Sequence, residues 1–440
     1  MENLILSDRT QKKPGEIQAA GKAGPLKSAR PGIEPGKEYQ TGVLLYCFRI
    51  SGKALKSTFY ERKQEVFMKI QCQKSQLVEA VSNVQRAVSS KSTLAALEGI
   101  LLKTTTNGDL KLCGYDLELG ITTVIEAQVD EPGEVVLSAR LFGDIVRRLP
   151  DETVTILVDE KMITQITCGP SEFSIVGIPS SEYPELPSVE GASSIDLTSP
   201  ILKSMIRQTL FAVADTDAKP VHTGTLFNIE NGIIRLVSVD GYRLAMRTEM
   251  INLKFEEEDE IRFVVPGKTL SEVIKLLPDQ DENVEILVGR RHIIFKIEKY
   301  SVISRLLEGE FLDYKAAIPA QFTTEVTVNT RNLINSVERV SLLITDRLKS
   351  PVRCIFSEDG EIKISCVTSI GKANDELSAQ ITGPEVEIGF NNRYLLDALR
   401  NADTDEVKVQ LTGPVSPMKI VPTQGDSFLF LVLPVRLKQE

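Results

Sequence analysis

Only two histidines occur in the 440 residues, His222 and His292. Neither has a second histidine, a cysteine or a carboxylate at metal-ligand spacing, so no zinc site is expected. The six cysteines (Cys47, Cys72, Cys113, Cys168, Cys354 and Cys366) form no C-x-x-C pair. Reduced, buried thiols in a cytoplasmic protein are their simplest reading. No Walker loop, dinucleotide fingerprint or nucleophile elbow is present. Asp116 and Asp240-Gly241 have the chemistry of acid/base groups. They fall at equivalent places in two copies of an internal repeat, however, where the third copy has Ser369-Ile370. A turn role is therefore preferred for both aspartates. Catalysis needs converging groups and none converge here, so the residues suit binding better than reaction, with no cofactor implied.

The elements that carry these residues repeat. From Met68 the pattern recurs three times, with a period of about 125 residues. Such a period is too long for a solenoid and marks a duplicated domain. Each copy opens with a short strand and a helical stripe: Leu77, Val81, Val84 and Val88; then Leu202, Ile206 and Leu210, preceded by Ser199-Pro200; then Leu333, Val337 and Val340. Hairpin signals follow, with Asn231-Gly232 and Asp359-Gly360 before alternating residues. A second helix comes next. Phe142, Ile145, Val146 and Leu149 match Leu270, Val273, Ile274 and Leu277, with Pro-Asp closing each. The third copy keeps Leu395, Leu396 and Leu399 without the proline. The expected fold class is α+β: three tandem domains over 68–192, 193–321 and 322–440. Each has two helices packed on antiparallel sheets of roughly eight strands.

Residues 1–67 differ. They are rich in Gly, Pro, Lys and Gln and carry 12 basic against 7 acidic side chains. They read as a largely disordered extension, and Met68 as a candidate translation start. No run approaches the ~18 apolar residues that span a bilayer, so no membrane contact is expected; Val43–Phe48 is far too short.

The net charge of −10 opposes any nucleic-acid partner held by bulk positive charge. Its distribution weakens that objection. Windows 75–91, 139–149, 199–211, 267–277, 330–347 and 391–400 together hold 14 Lys and Arg against 6 acids. Lysine and arginine are good helix formers on solvated faces. Alternatively, these helices share one face and offer phosphates a basic lining.

Four stretches then carry a family likeness: Lys219–Gly224, Ser238–Ala245, Gly309–Tyr314 and Leu433–Leu437. In this order on a threefold repeat, residues 68–440 resemble the beta sliding clamp of bacterial DNA polymerase III. The resemblance implies a non-catalytic processivity factor: a head-to-tail homodimer whose six domains ring double-stranded DNA without reading its sequence. It implies DNA contacts at Lys91, Arg140, Arg147, Arg207, Lys219 and Arg393, with Lys91 where family members often carry arginine. It implies a groove between the second and third domains for short motifs. Those motifs would come from the DNA polymerase III catalytic subunit, the clamp-loader complex, and other polymerases and repair proteins. By position the groove comprises His222, Val239, Gly241, Tyr242, Arg243, Leu244, Leu312, Tyr394, Pro417, Met418, Leu431, Val432, Leu433, Pro434, Val435, Arg436 and Leu437. His222 stands for a usual leucine and Leu312 for a usual proline. Residues 431–435 also read as an ordinary core strand. The ring seam falls to Phe173, Ile175, Leu342 and Leu343, which unaided read as core. Two other readings stay open, a DNA-binding scaffold of this fold that never closes, and an enzyme with an unrecognised site.

Overall fold

The computed structural model describes residues 66–437 apart from 190–192, 217–218, 252–259, 346 and 349. The expected extension, with Cys47, lies outside the described residues save for Val66 and Phe67, which open the strand Val66–Gln73.

The helices follow their apolar stripes. Helix α1 (Lys74–Val84) buries Leu77, Ala80, Val81 and Val84, then tightens into a 3-10 turn at Gln85–Ala87. Val88, expected on the same stripe, therefore lies beyond the helix and is half-buried. Helix α2 (Ala139–Arg148) buries Phe142, Ile145 and Val146 and stops before Pro150, which would remove an amide donor. Helix α3 (Ser199–Leu210) carries Pro200 in its first turn, where no donor is lost. Helix α4 (Gly267–Leu276) repeats the α2 stripe with Leu270 and Val273. A single turn, α5 (Tyr314–Ala317), is capped by the Asp313 carboxylate. Helices α6 (Thr330–Ser341) and α7 (Asn392–Asn401) are capped by the side chains of Asn329 and Asn391. The helices pair α1 with α2, α3 with α4, and α6 with α7. Each pair presses its stripe on the strands of its own copy.

Those copies have nine, eight and nine strands among the described residues. Their sheets do not stop at the copy boundaries. Leu119–Ile125 of the first copy pairs antiparallel with Tyr300–Arg305 of the second, joining an eight-stranded sheet. Arg243–Met250 of the second pairs with Phe428–Val432 of the third, joining a nine-stranded sheet. Both junctions use one register. The fifth residue after each turn aspartate, Ile121 or Ala245, faces Val302 or Phe430 respectively. A five-stranded sheet in the first copy ends on Ser171–Val176, and a four-stranded sheet in the third ends on Gly371–Ser378.

One core fuses the first two copies across their junction, from Met68 and Phe142 through Leu202 to Phe295. A second fills the third copy and reaches back to Ala212 and Ala245. Asp116 and Asp240 take the turn role: each carboxylate accepts two backbone N–H groups, from Glu118 and Leu119 and from Tyr242 and Arg243. The described cysteines Cys72, Cys113, Cys168, Cys354 and Cys366 are free and buried.

Candidate partner-binding site

At the junction of the second and third copies, the sheet register sets Leu244 opposite Leu431 and Arg243 opposite Val432. Leu244, Leu431 and Val239 join Val221, Phe311 and Tyr314 in a small buried apolar cluster, separate from the main cores. Over this floor the rim is open. Leu312 is 40% exposed and Leu433 half-exposed. The half-buried His222 ring stands edge-on to Phe311, centroids 5.7 Å apart.

The other wall is a turn braced from both sides. Gly241 sits at φ +85°, a conformation that costs a side chain energy. Beside it Tyr242, 60% exposed, stacks on Tyr394 of α7 with ring centroids 5.7 Å apart. The Arg243 guanidinium lies 4.6 Å from the Tyr394 ring centre and bonds Asp240 at 2.9 Å and Asp397 at 2.5 Å. Leu433 donates its N–H to the Tyr242 carbonyl at 2.9 Å. The wall is thus flat, aromatic and fixed before any partner arrives, which limits ordering costs.

Not every expected residue reaches this surface. Met418 and Val432 pair with each other and are buried in the third copy's core. Pro417 precedes them, partly exposed. Pro434 and Val435 leave the groove along Gly389, whose carbonyl accepts the Val435 N–H. Arg436 is exposed, and Leu437 packs against Gly389. Phe311, Tyr314, Asp240 and Asp397 build the groove too, beyond the residues expected there. The first three lie within the stretches that carry the family likeness. Asp397 becomes visible only once Arg243 has a position.

The junction of the first and second copies has the same topology but no such opening. Tyr115 stands where the other junction has Val239, Tyr183 for Phe311, Ile303 for Leu431 and Gly120 for Leu244. A methyl group on Gly120 would fall 2.6 Å from Leu186 and 2.8 Å from Ile303. Tyr183 donates to the Cys113 carbonyl at 3.2 Å, and Lys268 pairs with Asp116 at 2.5 Å. The chain's own aromatic and aliphatic side chains occupy the space. A cavity of about 690 Å³ beside it is bordered by Lys268, Arg305, Glu118 and Glu308, and another of about 1200 Å³ lies under residues 434–437. Both have mixed polar and apolar walls. Volume is the weaker guide here, because an apolar floor with an open rim is what an apolar motif needs.

The six expected DNA contacts are all exposed on the surface. Arg140 and Arg393 take equivalent first-turn positions in α2 and α7, away from the buried stripes. Arg147 bonds Asp144 at 3.0 Å and Gln85 at 3.3 Å, and Arg207 pairs with Asp403 at 2.7 Å. Exposed pairs of this kind are worth about 0–1 kcal/mol, so a phosphate can replace the carboxylate at little cost. Lys91 lies in the loop after α1, and Lys219 just ahead of the 3-10 turn Pro220–Thr223.

Phe173 and Ile175 lie on the edge strand Ser171–Val176. Phe173 is 38% exposed and Ile175 half-buried. Leu342, just after α6, is 80% exposed, whereas Leu343 is half-buried and packs against the third copy's core. The repeat gives these positions counterparts. Phe211 of the second copy stands where Leu342 does in the third, nine residues past Leu202 and Leu333. Phe430 stands where Phe173 does in the first. Phe211 and Phe430 meet edge-to-face across an inner junction, 5.3 Å apart.

Comparison with known proteins agrees along the whole described chain. Three family models match in order: DNA polymerase III beta subunit, N-terminal domain (68–187), central domain (196–313) and C-terminal domain (315–436). The beta sliding clamp of Bacillus subtilis (strain 168) is 34% identical over 379 residues, covering 84% of this chain and 100% of that protein. The crystal structure of the DNA polymerase sliding clamp from Bacillus subtilis superposes with a TM-score of 0.81 at 34% identity, covering 84% of this chain and all of that one. A putative DNA polymerase III beta subunit from Eubacterium rectale gives 0.80 at 37% identity, covering 84% of this chain and 99% of that one. With its three domains, their order and their junctions all accounted for, the chain belongs to the DNA polymerase III beta subunit family, the beta sliding clamps.

Proposed function

We infer that two copies of this chain close head to tail into a ring around duplex DNA, and that the ring tethers a polymerase to its template. The subunit is non-catalytic, as its family is. One observation supports closure most directly. The two inner junctions share a strand register, and the two outermost edges, Ser171–Val176 and Gly371–Ser378, are the matching halves of a third. Carried over, that register sets Phe173 opposite the partner subunit's Ala373, with Phe173 against the partner subunit's Leu342. Ile175 and Leu343 extend the same seam.

In the closed ring Lys91, Arg140, Arg147, Arg207, Lys219 and Arg393 face the phosphates. Topology holds the DNA, so these contacts can be weak, exchangeable and blind to sequence. The groove over Val239, Leu244 and Leu431 takes the apolar side chains of partner segments, and Tyr242, Arg243 and Tyr394 take their flanking residues. His222, Gly241, Leu312, Pro417 and residues 433–437 form its borders, with Met418 and Val432 supporting from below. The partners are the polymerase III catalytic subunit, the clamp loader, and other polymerases and repair proteins carrying such motifs. Clamp domains are assigned to 68–192, 193–321 and 322–440, residues 1–67 to a leading extension, and the protein to the cytoplasm.

The test is retention on nicked circular DNA after loading by a clamp loader, before and after the circle is cut. Retention on circles with rapid loss from cut ends is expected. Equal binding to both forms, falling steeply with salt, would refute closure and favour the scaffold that never closes.

A further inference from the structure

The strand His292–Ile297 turns Ile293, Phe295 and Ile297 into the core shared with α3 and α4. Alternation therefore aims His292 at the opposite face of the sheet, away from the helices. Arg305 is its cross-strand partner and shares that face. The preceding turn supplies Arg290 and Arg291, both exposed. A concavity of about 480 Å³ lies there, bordered by Ser188, Val189, Gly289, Arg290, Arg291 and His292.

The cluster is anomalous in this chain. Acids outnumber bases, 61 to 51, and several cations on the strands are paired, Lys69 with Asp130, Lys103 with Glu134, Lys296 with Glu285 and Arg353 with Glu387, whereas here three arginines gather on one side of a sheet. Among the described residues no carboxylate lies within 4.0 Å of Arg290 or Arg291. Arg305 has only a long, exposed contact with Glu308, at 3.7 Å. Burial, with the guanidinium groups of Arg305 and Arg291, holds the His292 imidazole below its usual proton affinity. At neutral pH the positive charge is thus that of three arginines, with a neutral imidazole as a further hydrogen-bonding group.

We propose that this concavity is a docking site for an acidic peptide segment, an aspartate- or glutamate-rich stretch of a partner protein, on the sheet face remote from the helices. Guanidinium forks match carboxylates in pairs. Arg290 and Arg291, which have no ion pair among the described residues, need no such bridge to be broken first, while the Arg305–Glu308 contact is long and exposed. The volume is small, fitting two or three side chains rather than a folded surface. A protein segment is favoured over nucleic acid because the helix faces carry the surplus of lysine and arginine, and this patch lies behind them. The site needs neither ring closure nor the apolar groove, so its test stands apart from the proposed function.

Fluorescein-labelled hexa-aspartate is titrated into the full chain at ~50 mM salt and followed by anisotropy. The excess negative charge repels this probe generally, so binding must be local. Arg290→Glu with Arg291→Glu is expected to weaken it at least ~10-fold, while Lys363→Glu on the third domain changes it less than ~2-fold. Circular dichroism melts check that the exposed substitutions leave the fold intact. Three outcomes would overturn the proposal: no binding to the wild-type chain, undiminished binding to the double variant, or loss only when Arg140 and Arg393 on the helices are reversed. A labelled single-stranded oligonucleotide run in parallel distinguishes the other source of anions. Tighter binding of that probe, abolished by the same double variant, would also overturn the peptide assignment.

Discussion

Substituting Leu342 by aspartate tests the seam at its most exposed apolar point. Leu342 is 80% exposed in the single chain, so enclosing it against the partner subunit's Phe173 stabilises each seam by about 2 kcal/mol at ~25 cal/mol per Å². Aspartate forfeits that and places a carboxylate against an aromatic ring, a desolvation cost of about 2 kcal/mol more. A ring of two chains has two seams, so the loss is ~8 kcal/mol, roughly 10⁵- to 10⁶-fold in the dimer dissociation constant. Sedimentation velocity at micromolar protein should show monomers. The monomer should melt normally, because an exposed position outside the core contributes within about 0.5 kcal/mol. Leu343 is the poorer probe, since it also packs against the third domain's core. The register has its own test. Phe173→Cys with Ala373→Cys should oxidise to a covalent two-chain ring, because facing residues of an antiparallel pair lie about 4.5–5.5 Å apart at Cα. Phe173→Cys with Asp375→Cys, two residues out of register, should not. A stable dimer of the aspartate variant at nanomolar concentration, or efficient cross-linking only in the shifted pair, would refute the reasoning from the inner junctions.

Arg243→Ala strands the Asp240 and Asp397 carboxylates and removes the cation from the Tyr394 face. It should cost about 2 kcal/mol in urea melts and weaken a synthetic glutamine- and leucine-rich motif peptide roughly tenfold; unchanged peptide affinity would remove Arg243 from the groove. Arg140→Glu with Arg393→Glu should lower DNA affinity for all sequences alike and flatten the log–log salt dependence by about 1 for each phosphate no longer neutralised; a sequence-dependent loss would contradict phosphate contact. Burial pushes the thiols of Cys72 and Cys354 up to about 12 and that of Cys113 to about 11. These groups are more easily ionised unfolded than folded. Each therefore withdraws about 1.4 kcal/mol of stability per pH unit, from the ordinary thiol value upward until its folded value is reached. Alkaline melting should be milder in Cys354→Ala, and all three thiols should resist iodoacetamide at pH 8 until denaturant is added; rapid labelling of the native protein would contradict their burial.

The helices were legible because their signal is local. Phe142, Ile145, Val146 and Leu149 declare a face by spacing alone, and Pro150 declares its end. The repeat was legible for the same reason, being a comparison of local patterns. What the sequence hid were pairings set by the tertiary fold. Arg243–Met250 meets a strand some 180 residues away, and nothing local distinguishes Phe430 as a junction residue from Phe430 as core. The groove stood between these cases. Its residues could be named from the family likeness, but that likeness counted Met418 and Val432 with the surface, although strand alternation buries both. Val88 failed for a smaller reason: the helix tightened one turn early, which periodicity does not announce.

The contrast between the two inner junctions explains why one topology yields a single groove. Backbone pairing is the same in both, so the difference lies in the side chains that fill the angle between the sheets. Tyr115, Leu186 and Ile303 close it at the first junction and leave no room for a methyl group at position 120, so glycine is required there. At the second, Val239 is smaller than tyrosine, and its neighbour Tyr242 swings outward to stack on Tyr394. The apolar floor is then left with no cover from the chain itself. A repeat built three times could thereby specialise one junction for the proposed binding while the other holds the domains together. The same reasoning bears on the seam. Leu141 of α2 and Ile370 of the turn before Gly371–Ser378 occupy the positions of Tyr394 and Tyr242, and both are exposed in the single chain. In the proposed ring they would meet across the partner contact, replacing an aromatic stack with an aliphatic one.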